Sequence, residues 1–184
     1  AIENSVDRTL PCTIKLFDTS TRALSSGINS IQVGALPDMV TFASNGQKLL
    51  VANEATPPTY GGFDPAGSVS IINMSTRSVT ATAGLNGVAQ TGSYIRQASS
   101  TGMDFEPEYI TTNAAGTKAY VTLQEANAIG VLDLQSNSFS QVIGLGAKNF
   151  AAPGNSIDPS HKDGKIELRS ANVVGLYQPD AIAA

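Results

Sequence analysis

The chain has 184 residues, of which 41% are apolar and 14% charged, and its 11 basic and 15 acidic residues give a net charge of −4 at pH 7. This composition excludes a disordered chain, and it provides no basic surface for nucleic acid or for an anionic membrane. No apolar run approaches the roughly 18 residues of a membrane span. The surface must therefore be built from uncharged polar and small residues, which favours a secreted protein.

Strands are predicted along the whole chain, because short apolar segments rich in Val, Ile, Tyr and Phe alternate with Gly, Asn, Ser and Pro. In chain order, the clearest strands cover residues 39–42, 49–52, 69–72, 119–122 and 129–132. Residues 44–47 and 114–117 are typical of tight hairpin turns. Helical periodicity is nearly absent, so we expect an all-β fold.

The predicted strands form an internal repeat. Residues 36–42 and 106–112 each contain a proline followed by an acidic residue, and each segment leads through a glycine turn into a strand that begins with lysine. The Pro-acid start recurs at residues 178–182, so the three starts are 70 and 72 residues apart. Near the N-terminus, residues 14–21 resemble a third strand and its turn.

Repeated units of four antiparallel strands indicate a β-propeller, whose blades need about 40–45 residues each. A β-sandwich with two similar halves is the alternative, although it gives no reason for a phased repeat. We predict a single partial propeller domain over residues 1–184, with about two full blades and partial blades at both ends. Its predicted parts are the end of a blade (13–34), a blade (35–83), an insertion (84–105), a blade (106–145), an insertion (146–178) and the start of the next blade (179–184).

Propeller topology predicts that acidic residues from successive blades meet at one mouth of the central channel. The first strand of each blade lines this channel and starts on the same face as the loop between the second and third strands. Asp38, Glu108 and Asp180 should therefore surround the mouth, with Glu54 and Glu125 nearby. Such carboxylates repel each other, raise each other's pKa values or hold a cation, and oxygen ligands favour Ca²⁺ or Mg²⁺. For any single aspartate, a local bond to the backbone of its turn is the alternative.

A second candidate for a cation site is the loop at residues 155–167, where Asp158, Ser160 and Asp163-Gly164 resemble a calcium-binding loop. The match is imperfect because Lys162 stands where a third oxygen ligand is expected. A polar surface loop with an Asp-Gly turn is the alternative. The complete set of predicted metal ligands is Asp38, Glu54, Glu106, Glu108, Glu125, Asp158, Asp163 and Asp180, with Ca²⁺ as the candidate cofactor.

The single cysteine and the single histidine restrict other chemistry. Cys12 cannot form a disulfide within the chain and is interpreted as an unpaired thiol, with pairing to another chain as the alternative. A zinc site needs a cluster of Cys and His ligands, and a Ser-His-Asp enzyme would have to use His161, which we interpret as an exposed loop residue. The first four residues, Ala-Ile-Glu-Asn, are not a signal peptide and fit either a mature N-terminus or an excised fragment.

Several motifs in a fixed order resemble the choice-of-anchor I family over roughly residues 35–184. They are the segments 104–110, 119–129 and 154–158, Asp163-Gly164, and the tail 175–183. The resemblance implies a secreted or surface-anchored bacterial β-propeller, distantly similar to YVTN-type and esterase-like phytase propellers. Members of this family tend to have an acidic residue where this chain has His161.

Two functional hypotheses follow. The first is an extracellular propeller module for binding, attachment or assembly into a filament or matrix, with calcium as a stabilising ion. The second is a metal-assisted hydrolase of phosphoesters or esters, with Glu54, Glu106, Glu108 and Glu125 holding a cation or acting as general base. No catalytic nucleophile is predicted, so the first hypothesis is favoured.

The predicted blades are too few for a closed ring, which needs at least about four. Unpaired strand edges at both ends would pair with other chains. We therefore expect either self-association through these edges or contact with the remaining blades of a longer chain.

Overall fold

The computed structural model describes residues 1–44, 46–59, 61–98 and 101–184. Sheet I pairs strand β1 (Pro11–Lys15) with β2 (Ser30–Ala35). Sheet II contains β3 (Pro37–Phe42), β4 (Lys48–Asn53), β5 (Ser68–Asn73) and β6 (Ser78–Gly84). Each strand of sheet II lies antiparallel to the next one along the chain.

Sheet III repeats this arrangement with β8 (Pro107–Thr112), β9 (Lys118–Leu123), β10 (Ala128–Asp133) and β11 (Ser138–Leu145). The preceding segment supplies β7 (Gln90–Ser93), which pairs in parallel with the outer strand β11, and the one-turn helix α1 (Thr101–Asp104). Sheet IV is a short hairpin of β12 (Ala147–Asn149) and β13 (Val174–Leu176).

The all-β prediction is confirmed, and all five of the clearest predicted strands lie within β3, β4, β5, β9 and β10. Part of the insertion predicted at residues 84–105 forms β7, which makes sheet III five-stranded. The turn predicted at 44–47 includes residue 45, which lies outside the described residues. Residues 179–184, which were predicted to start the next blade, pair with no strand among the described residues.

The sheets stack face to face, with sheet II in the middle. One core cluster joins sheets I and II through residues such as Ile14, Ile31 and Val51. A larger cluster joins sheets II and III through residues such as Leu50, Ile71 and Val121. Because β4 and β5 are covered on both faces, they read as nearly continuous apolar runs rather than as alternating strands.

The turn between the third and fourth strands of each unit has the same local structure in sheets I, II and III. Its first residue is an Asp or Asn whose Oδ1 accepts backbone N–H bonds from the residues two and three positions on, namely Asp18, Asn73 and Asp133. The residue four positions on has a positive φ, namely Arg22, Arg77 and Asn137. This geometry supports the repeat, because Asx turns that recur in register indicate equivalent positions.

The segment after sheet III is extended and weakly packed. Its residues 161–170 are all exposed, among them Ile166 at 98%. Within the described residues, no helix is long and apolar enough to cross a membrane.

Candidate functional site

The first strands of sheets II and III both carry a β-bulge at their acidic residue. In β3 the register with β4 shifts between Pro37 and Met39, which leaves Asp38 unpaired. In β8 the register with β9 shifts between Pro107 and Ile110, a stretch that contains Glu108. A bulge re-aims side chains at the end of a ladder, and here both bulges place a carboxylate at the same end of the stacked sheets.

Asp180 reaches the same end of the molecule through Asn127, which is completely buried. The Oδ1 atom of Asn127 accepts hydrogen bonds from the backbone N–H groups of Tyr177 (2.8 Å) and Gln178 (3.1 Å). Its Nδ2 group donates to the carbonyl oxygens of Tyr94 (3.0 Å) and Gly146 (2.8 Å). One side chain therefore fixes three chain segments, and the two residues that it orders directly precede Pro179 and Asp180.

The loops after the second strands add Glu54 and Glu125 to this end. Glu54 follows β4, where its backbone N–H donates to the Leu36 carbonyl and its Oε1 accepts from the Thr56 hydroxyl. Glu125 lies in the turn between β9 and β10, and its Oε2 atom is buried without a hydrogen-bond partner. An orphaned buried carboxylate oxygen is costly, so it marks a site that something else could satisfy.

Gln124 lies beside Glu108. With its amide oriented to satisfy both its donor and its acceptor, Nε2 donates to the two carboxylate oxygens of Glu108 at 3.0 and 3.2 Å. In the opposite orientation, the amide oxygen can accept a hydrogen bond from the O–H group of a protonated Glu108. Gln124 can therefore form a hydrogen bond with Glu108 whether Glu108 is ionised or protonated.

We call the set Asp38, Glu54, Glu106, Glu108, Glu125 and Asp180 the acidic mouth. Burial, followed by the charges of Glu125 and Glu54, raises the pKa of Glu106 to about 7, against a smaller opposing effect of a hydrogen bond from Thr56. Burial, followed by the charges of Glu125 and Glu54, raises the pKa of Glu108 to about 8. Near neutral pH, both carboxyl groups thus retain protons that exposed glutamates would have lost.

The acidic residues that follow the three repeated prolines also influence each other electrostatically. Desolvation and then the charge of Asp180 raise the pKa of Asp38. Asp38 and Asp180 contribute in turn to the raised pKa of Glu108. The three residues that the repeat predicted at the mouth are therefore close enough to interact.

A pocket of about 180 Å³ opens beside the acidic mouth and contains residues that the sequence did not single out. Its lining includes Asp64, Arg96 and Asp104 together with Glu106 and Glu125. The Oδ1 atom of Asp64 is buried without a partner, and burial followed by the charge of Asp104 raises the pKa of Asp64. Because these residues come from the connections between β4 and β5 and between β6 and β8, the repeat could not predict them.

The predicted calcium loop lies apart from this cluster. Asp158 accepts from the Ser160 N–H (3.4 Å) and Asp163 from the Lys165 N–H (3.1 Å), so both aspartates close turns within their own loop. His161 is exposed, and Cys12 is buried as a free thiol. Neither aspartate is among the charges that raise the pKa values of Glu106 and Glu108.

Across the described ranges 1–44, 46–59, 61–98 and 101–184, no group of three or more Asp, Glu, His or Cys side chains is arranged closely enough to hold a metal ion. The carboxylates of the acidic mouth interact electrostatically without forming a tight coordination shell. Chemically, this arrangement can attract a cation or a cationic group, and its two glutamates with raised pKa values can exchange protons near neutral pH.

Comparisons with known proteins identify the family of the chain. The family model of the choice-of-anchor I domain matches residues 1–184, which confirms the resemblance and extends it to the first 34 residues. No curated protein matches the chain. A solved structure of Kuenenia stuttgartiensis hydrazine synthase is 13% identical, with a TM-score of 0.34 over 72% of this chain. The chain spans 49% of that structure, and such a low TM-score does not assign a shared fold.

Proposed function

The chain belongs to the choice-of-anchor I domain family, and on this basis we propose that it is a secreted or cell-surface bacterial β-propeller module whose acidic mouth binds a cation or a cationic ligand. The family description supports an extracellular role. The proposed activity is recognition or attachment, and Ca²⁺ is the first candidate ion.

The stacking of equivalent sheets supports the propeller part of this proposal. Sheets II and III share strand order, register and turn geometry, and they pack face to face with their first strands adjacent at the same end. A β-sandwich would pack two sheets without requiring this repeated order. A propeller requires it, because each blade presents the same inner strand to a common axis.

The convergence of carboxylates at the acidic mouth is the observation that carries the binding function. Eight of the 15 acidic residues lie at this mouth or line the adjacent pocket: Asp38, Glu54, Asp64, Asp104, Glu106, Glu108, Glu125 and Asp180. Structural carboxylates are normally spread apart or paired with bases. Grouping them raises the free energy of the unliganded protein, and a bound cation would lower it.

A thermal melt at pH 8 tests whether the acidic mouth binds a cation. We expect Ca²⁺ or Mg²⁺ to raise the melting temperature and EDTA to reverse the effect, because a ligand that binds the native state stabilises it. The variant with Glu106→Gln and Glu108→Gln should lose this response. Glu167→Gln, at an exposed position outside the mouth, is the matched control and should retain it. Identical melting curves in the presence of Ca²⁺, Mg²⁺ and EDTA would rule out binding of these cations at the mouth.

One observation favours a second candidate function, a metal-assisted hydrolase. A general acid or base works best with a pKa near the working pH, and the pKa values of Glu106 and Glu108 are about 7 and about 8. A panel of chromogenic phosphate and carboxylate esters, assayed with added Ca²⁺ and Mg²⁺, tests it. Turnover that is lost in Glu106→Gln and unchanged in Glu167→Gln would support hydrolysis, and the absence of turnover would reject it for these ester classes.

A further inference from the structure

The pocket beside the acidic mouth has walls of two kinds. Its volume is about 180 Å³, and most of its lining belongs to the connections between β4 and β5 and between β6 and β8. Pro57, Ala98 and Met103 supply apolar atoms. The charged side chains of the described lining are Asp64, Arg96, Asp104, Glu106 and Glu125. Four carboxyl groups and one guanidinium therefore surround a cavity whose remaining wall is apolar.

Two of these carboxyl groups have a buried oxygen atom with no hydrogen-bond partner among the described residues. The two atoms are Oδ1 of Asp64 and Oε2 of Glu125. After burial, the charges of Glu125, Glu54 and Asp64 raise the pKa of Glu106, so these groups lie within electrostatic range of one another. A buried acceptor without a donor is unfavourable. The pocket thus offers two acceptors that a donor on a ligand would satisfy.

Asp104 holds the apolar wall of the pocket in place. Its Oδ2 atom accepts a hydrogen bond from the backbone N–H of Ala98 at 3.1 Å. Met103 directly precedes Asp104 in the one-turn helix α1. The apolar atoms of Ala98 and Met103 are therefore positioned by the same carboxylate, on the lining that also contains the two unpartnered oxygens.

A metal ion fits these carboxylates less well than an ammonium group does. Ca²⁺ needs about six to eight oxygen ligands at about 2.3–2.6 Å. In the part of the chain that the structure describes, no three Asp, Glu, His or Cys side chains are close enough to hold a metal ion. An ammonium group donates three hydrogen bonds with N···O distances of about 2.7–3.0 Å, so its acceptors can lie further apart.

The size of the pocket suits an ammonium group on an alkyl stem. An engineered cavity of about 150 Å³ admits benzene, so a pocket of about 180 Å³ accommodates a group of about six non-hydrogen atoms. The stem of a lysine side chain has this size and packs on apolar atoms while its charged end stays hydrogen-bonded. A guanidinium fits less well, because its planar fork matches both oxygens of one carboxylate, whereas the unpartnered oxygens here belong to two carboxylates.

We propose that this pocket binds an alkyl primary ammonium group, whose nitrogen donates to Asp64 and Glu125 and whose stem packs on Ala98 and Met103. This group occurs in the lysine side chain of a partner polypeptide and in aliphatic diamines. The inference rests on the proposed recognition function and names the class of ligand. It does not require a metal ion at the acidic mouth.

NMR titrations of the ¹⁵N-labelled protein at pH 7 in EDTA test the proposal. The probes are Nα-acetyl-lysine methylamide and 1,5-diaminopentane, and we expect both to shift the N–H resonances of Ala98 and Met103 to saturation. Nα-acetyl-norleucine methylamide, which has the lysine stem without its ammonium group, should bind about tenfold more weakly or worse. Tighter binding of the lysine derivative assigns the ligand to a polypeptide, and tighter binding of the diamine assigns it to a free amine.

Two substitutions remove the negative charge of the acceptors and keep their shape. Asp64→Asn and Glu125→Gln should each weaken the binding of the lysine derivative about tenfold, the factor for a lost hydrogen bond between charged groups. Glu167→Gln, at an exposed position, is the matched control and should retain the parent affinity. Because the two variants are independent and their spectra report folding, a folding defect in one of them leaves the other as the test.

The inference is overturned if the lysine and norleucine derivatives bind equally well, or if neither amine shifts Ala98 and Met103. Parent affinity in both Asp64→Asn and Glu125→Gln would also overturn it. A separate Ca²⁺ titration distinguishes this inference from the proposed cation binding. Calcium binding without amine binding refutes the ammonium pocket alone, whereas amine binding without calcium binding supports the pocket and rejects the metal ion.

Discussion

The raised pKa values at the acidic mouth predict that the folded chain loses stability as the pH rises from about 5 to about 9. Burial and the neighbouring carboxylates raise the pKa of Glu106 to about 7 and that of Glu108 to about 8, from an ordinary value of 4.5. Between pH 4.5 and the raised pKa values, the native state binds more protons than the unfolded state. The free energy of unfolding must therefore fall as the pH rises through this window.

The size of the effect follows from the two pKa values. At about 1.4 kcal/mol per tenfold change, full burial would make each ionisation cost roughly 3 to 5 kcal/mol. Both side chains are partly exposed and share the same neighbours, so screening and coupling reduce the joint effect to about 1–3 kcal/mol. For a domain of this size, that corresponds to a fall in melting temperature of roughly 2–12 °C.

Urea unfolding and thermal melts at pH 5, 7 and 9, in the presence of EDTA, measure this slope. The variant with Glu106→Gln and Glu108→Gln should be nearly flat over this range and more stable than the parent at pH 9, because the neutral amides avoid the repulsion. Glu167→Gln should retain the parent slope. Asp7, Asp18 and Asp133, whose pKa values hydrogen bonds lower, affect stability only at more acidic pH. Stability that rises from pH 5 to pH 9 would refute the reasoning, as would a double variant with the parent slope.

Three further substitutions probe the packing behind the site, each measured as the free energy of unfolding in urea. Asn127→Ala removes the side chain that bonds three segments and should cost about 2–4 kcal/mol; Asn127→Gly, which relieves the positive φ of 55°, separates the hydrogen bonds from backbone strain. Gly67→Ala should cost about 1–3 kcal/mol through its clash with the Phe105 carbonyl, whereas Gly84→Ala, with nothing within 4 Å, should cost little. Lys48→Met removes the hydrogen bonds that Nζ donates to the Leu134 carbonyl and to Oδ1 of Asn137, in the turn between β10 and β11, and should cost about 1–2 kcal/mol. Equal effects within the glycine pair, or no effect at Asn127 or Lys48, would contradict the assigned contacts.

Local sequence was sufficient to predict the strands of the repeat, because each is short, apolar and closed by a glycine or Asx turn. The register of the repeat was sufficient to predict that Asp38, Glu108 and Asp180 lie near each other, since equivalent positions in stacked sheets lie at the same end. Strand β7 could not be predicted, because Gln90–Ser93 is polar and exposed along its whole length and pairs in parallel with a strand about 50 residues further on. A strand of this kind is specified by its partner rather than by its own composition.

The pocket beside the acidic mouth was unpredictable for a related reason. Asp64, Arg96 and Asp104 lie in connections that have no counterpart elsewhere in the chain, so periodicity carries no information about where they fold. The one signal in the sequence concerned Asp104, which directly precedes Phe105 and Glu106 and therefore had to lie near the mouth. The calcium-like loop shows the opposite case, in which a motif is visible in the sequence but its aspartates accept backbone N–H groups of their own loop.

The acidic mouth and the apolar core between the sheets share one physical cause. Stacking equivalent sheets brings equivalent positions together, so the carboxylates at the starts of the first strands lie at one end of the stack, and the apolar faces of the sheets pack against each other. The repeated apolar faces stabilise the stack wherever a following sheet covers them, as sheet III covers sheet II. The repeated carboxylates destabilise it, increasingly with each unit added. The grouped carboxylates therefore oppose the apolar burial that stabilises the stack, and a cation bound at the mouth would remove part of that opposition.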